Sequence, residues 1–168
     1  RSYFCAPLML IRPEPFDIEA FAPYGECFAL RDLQGDRHDF AAQLTNGRSH
    51  ARLNVSISRS KPQTSAIRVA ALERHDHSAQ AFAPIVVSRW LVAIAPNTTE
   101  GGPDFSQLRA FVMDENLGIC YRPNVWHHPF ACFDTPAEML MLRWDDQTES
   151  DTTWAKTPSG SEIQISLP

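Results

Sequence analysis

The chain has 168 residues, 43% of them hydrophobic, and a formal net charge of −5. This length suffices for one domain that buries its own core without disulfides or a structural metal. The fifteen Lys and Arg residues are scattered, which argues against nucleic acid or an anionic membrane surface as a partner. No apolar run approaches the roughly 20 residues of a membrane-spanning helix, and we expect no signal peptide.

The cysteine pattern indicates a reducing compartment. Cys5, Cys27, Cys120 and Cys132 show no C-x-x-C spacing, and most of them lie in apolar stretches. Such thiols are typical of a cytosolic protein rather than of a secreted disulfide framework. We therefore predict one cytoplasmic domain over residues 1–168, with a core at about 16–144 and a C-terminal arm at 145–168.

The first third of the chain predicts one short helix and one long loop. Residues 15–25 read as a helix that Asp17 caps and that Pro23 and Gly25 end. Residues 31–48 are polar, show no sustained periodicity and contain Asn46, so we interpret them as a loop that can fold over a site.

The next segment has the alternation of a half-buried strand. Leu53, Val55 and Ile57 alternate with polar residues, and Arg59 shares their parity. If that face is the inner one, the guanidinium of Arg59 requires an internal carboxylate or a bound carboxylate ligand. If the strand ends at Ser58, Arg59 is instead a solvated residue at the rim.

Residues 67–84 predict extended chain whose inner face changes from apolar to polar. Glu73, His75 and His77 follow three apolar residues of the same parity, and Gln80 begins a second run with one parity. Residues 86–95 form a nearly continuous apolar run, as expected for a central strand that is buried on both faces.

The remainder predicts more short strands. Residues 108–113, 118–121 and 139–144 are separated by turn residues, and no long helical stripe follows Ala22. This arrangement favours an all-β sandwich or barrel. The acidic residues 145–160 read as a surface arm, and the alternation in 163–167 indicates a terminal edge strand or a segment that docks on a partner.

Four of the six histidines lie in two segments, residues 72–77 and 121–129. Imidazole binds transition metals and transfers protons near neutral pH, so two such segments on one barrel indicate a chemical site. The alternative is a pair of structural histidines that are hydrogen-bonded inside the barrel. His75 and His127 are the better candidates, because strand parity sends His128 to the opposite face and His77 neighbours His75.

The spacing Glu73-x-His75-x4-Gln80, with a later Pro-Asn turn before His127, resembles the two motifs of the cupin superfamily. Glu73 stands where that pattern has its first histidine, and Gln80 stands where it has an acid. Asn124 replaces a glycine, and asparagine tolerates the left-handed backbone that such a turn requires. The resemblance implies a cupin-type double-stranded β-helix, a jelly-roll barrel, with one short N-terminal helix.

A second resemblance is narrower and nearly full length. The runs 72–84, 108–111 and 124–129, together with 19–25, 46–47 and 56–59, are similar to the ureidoglycolate lyase family. Leu142-Arg143 and the segment 31–52 depart from that family's pattern. The resemblance implies a homodimeric carbon–nitrogen lyase, which splits ureidoglycolate into glyoxylate and urea in allantoin and purine breakdown, and it associates nickel with the activity.

These considerations assign roles to seven residues. The predicted catalytic residues are His75, Glu73 and His127, with Glu73 or His75 as the base, and the predicted metal ligands are His75, Gln80 and His127. The predicted substrate-binding residues are Arg59, Asn46, Gln80 and Tyr121. Two other functions stay open at this point: a cupin-type lyase or hydrolase for a related ureido or hydroxy acid, and a non-catalytic protein that binds a small acid.

Overall fold

A computed structural model describes residues 7–31 and 35–168, so Cys5 and three residues of the predicted 31–48 loop lie outside the described chain. The described elements are fifteen β-strands, one α-helix and two short 3₁₀ helices. They are β1 (Leu8–Ile11), β2 (Glu14–Pro15), α1 (Ile18–Phe21), β3 (Gly25–Ala29), β4 (Arg52–Ser60), β5 (Ile67–Arg68), β6 (Ala71–Arg74), β7 (Gln80–Val86), β8 (Arg89–Ala95), a 3₁₀ helix (Phe105–Gln107), β9 (Arg109–Asp114), β10 (Leu117–Tyr121), β11 (Trp126–His127), β12 (Ala131–Phe133), β13 (Ala137–Asp145), a second 3₁₀ helix (Glu149–Asp151), β14 (Thr153–Lys156) and β15 (Glu162–Ile165).

The single α-helix is shorter than the sequence predicts. Asp17 caps it, because its carboxylate accepts the backbone N–H groups of Glu19 and Ala20 at 2.9 and 3.1 Å. Phe21 is fully buried and tilts against Tyr121 of β10, with ring centroids 5.9 Å apart. Within the described ranges, no helix has the length and apolar character needed to span a membrane.

Two sheets enclose the main core. The front sheet has the order β3-β10-β7-β13-β4, and the back sheet has the order β14-β6-β11-β8-β9-β2, with β12 also paired to β8. The chain passes from one sheet to the other between β6 and β7, between β7 and β8, and again on either side of β10. Side chains of both sheets, such as Phe82, Trp90, Phe111 and Met139, fill the space between them. The predicted all-β, cupin-type jelly roll with one short helix is therefore confirmed.

The alternation along three neighbouring front strands positions polar groups inside the barrel. Phe82 lies opposite Met141 and Ile119, all buried, so this parity faces inward. The same parity carries Gln80, Arg143 and Tyr121 at one end of these strands, where the register pairs Gln80 with both of the others. The barrel therefore has an apolar body and one polar end.

The apolar run 86–95 divides into the end of β7 and the whole of β8, with a turn at 87–88. From Trp90 to Ala95 every residue of β8 is buried. Trp90 and Ile94 face the main core, whereas Leu91 and Ala93 belong to a second core behind the back sheet. Burial on both faces explains why this strand shows no alternation.

A third sheet covers that second core and is built from distant parts of the chain. β15 lies between β1, to which it is parallel, and β5, to which it is antiparallel. Ile163 and Ile165 are buried, so the predicted terminal strand is an inner strand rather than an edge. The segment 145–160 is not a solvated arm, since β14 extends the back sheet beside β6 and Asp151 is buried.

Strand β4 has the predicted period of two, but its apolar face points outward. β4 pairs with β13 at the edge of the front sheet, and Leu53, Val55 and Ile57 are exposed. Ser56 lies opposite Met141, which is buried, so the serine face is the inner one. The interpretation of the Leu53 face as the core face is therefore wrong.

Candidate functional site

The two histidine segments meet inside the barrel. His75 follows β6, and His127 lies on β11, which pairs with β6 and places His127 opposite Glu73. The imidazole centroids of His75 and His127 are 5.5 Å apart. The backbone N–H of Asn124 donates to the carbonyl of His75 at 2.9 Å, and Asn124 has the left-handed φ of +66° that the sequence predicts. This turn ties the second motif to the first.

Glu73 completes a compact cluster with the two histidines. Its carboxylate Oε1 lies 3.4 Å from Nε2 of His127. One ligand atom from each of Glu73, His75 and His127 lies within 4.8 Å of those of the other two. The histidines are almost fully buried, whereas the side chain of Glu73 retains 15% exposure. Glu73 is therefore the member of the cluster that is most open to solvent.

Backbone carbonyls favour the same tautomer of both imidazoles. Nδ1 of His127 lies 2.9 Å from the carbonyl of Val125, and Nδ1 of His75 lies 3.0 Å from the carbonyl of Asp151. A carbonyl only accepts, so each of these contacts favours a hydrogen on Nδ1 and a free lone pair on Nε2. Both Nε2 atoms are buried and find no hydrogen-bond partner in the described chain.

Two front-sheet residues border the cluster. The ring of Tyr121 stacks on His127, with centroids 4.3 Å apart and planes 14° from parallel. Burial raises the pKa of Tyr121, so the phenol stays neutral. Gln80, opposite Tyr121 in the strand register, has a buried Oε1 without a hydrogen-bond partner among the described residues. Tyr121 thus holds the plane of His127, and Gln80 offers a free acceptor.

Arg143 of β13 is a site residue to which the sequence analysis assigned no role. Its Nη1 lies 3.2 Å from Nδ1 of His75 and 3.3 Å from Oγ1 of Thr152, and its Nη2 donates to Asp145 at 3.2 Å. The signal was present in the strand parity, since Arg143 shares the inward face of Met139 and Met141. The guanidinium places a fixed positive charge beside the cluster.

The structure does not bring Arg59 to the histidines. Its side chain is 68% exposed on the outer face, and its Nε donates to Glu138 at 2.9 Å. Glu138 and Arg143 are five positions apart on β13, which corresponds to about 17 Å of strand. Arg59 is therefore a solvated residue, as the second alternative predicts, although β4 continues past Ser58 to Ser60.

Asn46 also has a local role instead of a contact with the cluster. Its side-chain amide donates to the carbonyl of Arg48 at 2.7 Å and accepts the N–H of Arg48 at 3.0 Å. This turn is exposed and directs Arg48 inward. Of the second histidine in each segment, His77 is exposed, and His128 bonds through Nδ1 to the carbonyl of Pro129 at 2.7 Å.

The electrostatics of the cluster leave an ionised Glu73 beside a neutral His75 at neutral pH. Burial, followed by the charges of His127 and Arg143, lowers the pKa of His75 to about 4. Burial acts to raise the pKa of Glu73, but its contacts with the two histidines and the positive charge of Arg143 outweigh it. The pKa of Glu73 is therefore below its ordinary value, and the group is a carboxylate.

The donor set fits a divalent transition metal. Imidazole nitrogen and carboxylate oxygen are common ligands of such ions. The ligand atoms of Glu73, His75 and His127 lie within 4.8 Å of one another, and Nε2 of each histidine is buried without a hydrogen-bond partner in the described protein, so a cation would satisfy two otherwise orphaned buried atoms. Glu73 would supply the negative charge. The residues present thus suggest a metal without specifying which one.

A jelly-roll barrel with a Glu–His–His cluster at its polar end defines a cupin-type enzyme. A family model described as ureidoglycolate lyase matches residues 8–164. The chain is 33% identical over 145 residues to a ureidoglycolate lyase of Burkholderia cepacia, which covers 79% of this chain and 78% of that protein. It is 30% identical over 156 residues to one of Brucella anthropi, with 84% and 90% covered. The chain belongs to the ureidoglycolate lyase family, and the prediction of a lyase is confirmed.

Among solved structures, the chain is similar to a dTDP sugar isomerase of Desulfovibrio desulfuricans. The TM-score is 0.49 and the sequence identity 20%, over 80% of this chain and 82% of that one.

The pH dependence of stability of the metal-free protein follows from His75. The pKa of His75 rises from about 4 in the fold to its ordinary 6.5 in the unfolded chain, so between these values only the unfolded state takes up the proton. The contribution of His75 to the free energy of unfolding is therefore fully present above about pH 6.5. It falls by up to roughly 3 kcal/mol as the pH approaches 4. Denaturant titrations of wild type and His75→Asn near pH 7 and near pH 4.5 should show a smaller loss in the variant. Equal losses would contradict this assignment.

Proposed function

We propose that this chain cleaves ureidoglycolate into glyoxylate and urea, a step of allantoin and purine breakdown, at the cluster of Glu73, His75 and His127. The observation that carries the proposal is the convergence of one carboxylate and two buried Nε2 atoms without a hydrogen-bond partner in the described chain, in a barrel of this family. The relatives named above are ureidoglycolate lyases, which gives the substrate.

The reaction requires only the movement of a proton. One carbon of ureidoglycolate carries a hydroxyl, a carboxylate and a ureido nitrogen. When the hydroxyl loses its proton, the carbon–oxygen double bond of glyoxylate forms and the carbon–nitrogen bond breaks. The electron pair of that bond passes to the nitrogen, which takes up a proton and leaves as urea. General acid–base catalysis therefore suffices, and no covalent nucleophile is required.

Glu73 is the base in this scheme. Its low pKa keeps it ionised, and it is the most accessible member of the cluster, with 15% of its side chain exposed against 2% for His127. Glu73 takes the hydroxyl proton and, once protonated, returns it to the departing nitrogen on the same substrate. The Nε2 atoms of His75 and His127 lie beside Glu73, where an unprotonated Nε2 accepts a hydrogen bond from the substrate hydroxyl and so orients it.

Arg143, rather than Arg59, binds the substrate carboxylate. The guanidinium of Arg143 touches the ring of His75, and its Nε is buried without a hydrogen-bond partner among the described residues. An incoming carboxylate satisfies that donor with a charge-assisted hydrogen bond. The carbinol carbon, bonded directly to the carboxylate carbon, is then held beside the cluster.

Nickel, the metal that the family resemblance implies, would be held by His75, His127 and Gln80, with Glu73 supplying negative charge. Support comes from the three buried acceptor atoms that have no donor in the described chain. A divalent cation at this position supplies Lewis acidity, which lowers the pKa of the substrate hydroxyl. The protein's own part is to present proton-free Nε2 atoms, through the carbonyls of Val125 and Asp151.

We further propose that the protein is a homodimer, joined through the apolar face of β4. In the described chain, β4 pairs on one side only, with β13. Leu53, Val55 and Ile57 are exposed, and so are Ile85 and Val86 at the end of β7. A flat, apolar edge strand of nine residues invites pairing with another strand, so a stable protein has to cover it.

A second copy of the same strand fits this edge. Antiparallel pairing about a two-fold axis near Ser56 sets Val55 of one copy beside Ile57 of the other, so apolar residues meet at the centre, while Leu53 lies beside Arg59. The charged residues Arg52 and Arg59 stand at the two ends of β4, outside the apolar centre. The edge is therefore self-complementary.

The reducing cytoplasm is the proposed location. Cys27, Cys120 and Cys132 are all free thiols. Burial, with the charges of Asp114 and Glu26 respectively, raises the pKa of Cys27 and Cys120 to about 11, so both remain unreactive thiols.

Purified protein should release glyoxylate and urea in equal amounts from racemic ureidoglycolate, faster than spontaneous decay. His127→Ala should lower the rate by about 10²-fold or more, because the cluster loses a group that orients the substrate hydroxyl and that would bind the cation. His128→Ala is the matched control and should retain the rate, with circular dichroism confirming that both variants fold. Near-normal turnover in His127→Ala would refute its role. Binding of glyoxylate without urea release would indicate the non-catalytic alternative.

Arg143→Met and Arg59→Met separate the two candidates for carboxylate binding. We expect Arg143→Met to lower kcat/KM by about 10- to 100-fold, the equivalent of about 1.5–3 kcal/mol for a hydrogen bond to a charged group. Arg59→Met should leave kcat/KM within error of wild type in the dimer. The opposite pattern would restore Arg59 to the site and exclude Arg143.

Removal of metal tests whether a cation takes part in the reaction. Protein that is stripped with a chelator should lose at least about 90% of its turnover, and nickel should restore it, because a bound cation makes the hydroxyl acidic. Calorimetry of the stripped protein should show one nickel site per chain, which weakens in His127→Ala. Full turnover in the presence of chelator would remove the cation from the scheme.

Val55→Glu tests the dimer. The substitution brings two like charges together near the proposed two-fold axis, so light scattering should show a dimer for wild type and a monomer for the variant. Leu8→Glu, which changes an equally exposed leucine on β1, is the control and should remain dimeric. A monomeric wild type, or a dimeric Val55→Glu variant, would exclude this interface.

A further inference from the structure

The second 3₁₀ helix, Glu149–Asp151, lies directly behind His75. The carbonyl of Asp151 is 3.0 Å from Nδ1 of His75, and Asp151 itself is buried. His127 obtains the equivalent bond from Val125, only two residues before it. His75 therefore depends on a segment 76 positions away in the chain for a contact that His127 makes locally.

A buried ion pair holds that helix in place. Nη1 of Arg48 lies 2.6 Å from Oδ1 of Asp151, and only 8% of the Arg48 side chain is exposed. The carboxylate of Asp151 also accepts the backbone N–H groups of Asp146, at 2.9 and 3.1 Å, and of Thr148, at 3.2 Å. Nη2 of Arg48 donates to the carbonyl of Trp144 at 3.2 Å. Arg48 thereby joins the helix to the end of β13.

A hydrogen-bonded turn positions Arg48. The side chain of Asn46 bonds both backbone groups of Arg48, and the N–H of Gly47 donates to the carbonyl of His77 at 2.7 Å. The loop that carries Arg48 is thus fastened two residues after His75. The end of the polar segment 31–48 therefore has a structural role, although it takes no part in the proposed reaction.

Two of the three groups beside Nδ1 of His75 favour opposite tautomers, and the third, Oγ1 of Thr152 at 3.3 Å, can donate or accept. The carbonyl of Asp151 accepts and requires the hydrogen on Nδ1, which leaves Nε2 free. Nη1 of Arg143, 3.2 Å from the same Nδ1, donates and favours a bare Nδ1 with the hydrogen on Nε2. If the carbonyl of Asp151 moves away from Nδ1, the guanidinium of Arg143 is still beside it. The proton then moves to Nε2, the atom that faces Glu73 and His127.

We propose that Arg48 and Asp151 are positioning residues for the site: their ion pair holds the Asp151 carbonyl against His75 and so keeps Nε2 of His75 free of a proton. The inference rests on the proposed function, which makes His75 a site residue. A proton-bearing Nε2 can neither bind a cation nor accept a hydrogen bond from the substrate hydroxyl. The polar loop and the C-terminal segment together therefore set the chemical form of His75.

The test reads the tautomer directly, in metal-free, full-length protein that is labelled with ¹⁵N at histidine. Long-range proton–nitrogen correlation spectra distinguish a ring protonated at Nδ1 from one protonated at Nε2. We expect both His75 and His127 to carry the hydrogen on Nδ1 in wild type. In Arg48→Met the nitrogen shifts of His75 should move toward the Nε2-protonated form, while those of His127 stay unchanged as an internal control.

Three further variants sharpen the result. Arg48→Lys retains the charge and should largely restore the wild-type shifts, whereas Arg89→Met removes an arginine from the ion pair with Asp134 elsewhere and should change nothing. If Arg48→Met fails to fold, Asp151→Asn removes the same ion pair at nearly constant size and should move the His75 shifts in the same way. Nickel affinity of Arg48→Met, measured by calorimetry, should fall about 10- to 100-fold.

Two outcomes would overturn the proposal. One is a wild-type His75 that carries its hydrogen on Nε2, and the other is a folded Arg48→Met or Asp151→Asn variant whose His75 shifts are unchanged. Neither measurement of the tautomer uses substrate or metal. Failure of the lyase assay would therefore remove the proposed function and leave the tautomer result standing.

Discussion

The site depends on one constraint, the hydrogen bond from the backbone N–H of Asn124 to the backbone carbonyl of His75. It forms because Asn124 adopts a left-handed backbone, which asparagine tolerates better than other residues with a side chain. The turn then directs His127 into the barrel opposite Glu73. The pairing of β11 with β6 brings the two segments near each other, and this turn aims the imidazole.

Much of the site is predictable from the sequence because it follows local rules. The period of two along extended chain places Glu73 and His75 on one face, and the Pro-Asn turn predicts both the conformation of Asn124 and the direction of His127. The same rule places Gln80 on the inward face of β7. These predictions need only the neighbours of each residue in the chain and the cupin resemblance for the convergence of the two segments.

The remaining parts of the site depend on contacts that no local pattern contains. Alternation shows that β4 has two unlike faces, but it does not show which of them is the interior. The apolar face of β4 points outward, and Arg59 lies on that face rather than in the site. Arg143 has inward parity, yet its contact with His75 depends on the register of β13 with β7. The roles of Arg48 and Asp151 depend on two loops that meet only in the folded protein.

The carbonyl of Asp151 belongs to a late part of the chain, so it becomes available late in protein synthesis. A ribosome makes β1 to β13 before it reaches the residues that complete the environment of His75, and β1 waits still longer for its neighbour β15. Pairings between residues so distant in sequence form late, because the entropy of closing the loop must be overcome first. A nascent chain that holds every group of the Glu–His–His cluster thus still lacks the carbonyl that contacts His75, and translation must pass residue 151 before that contact can form.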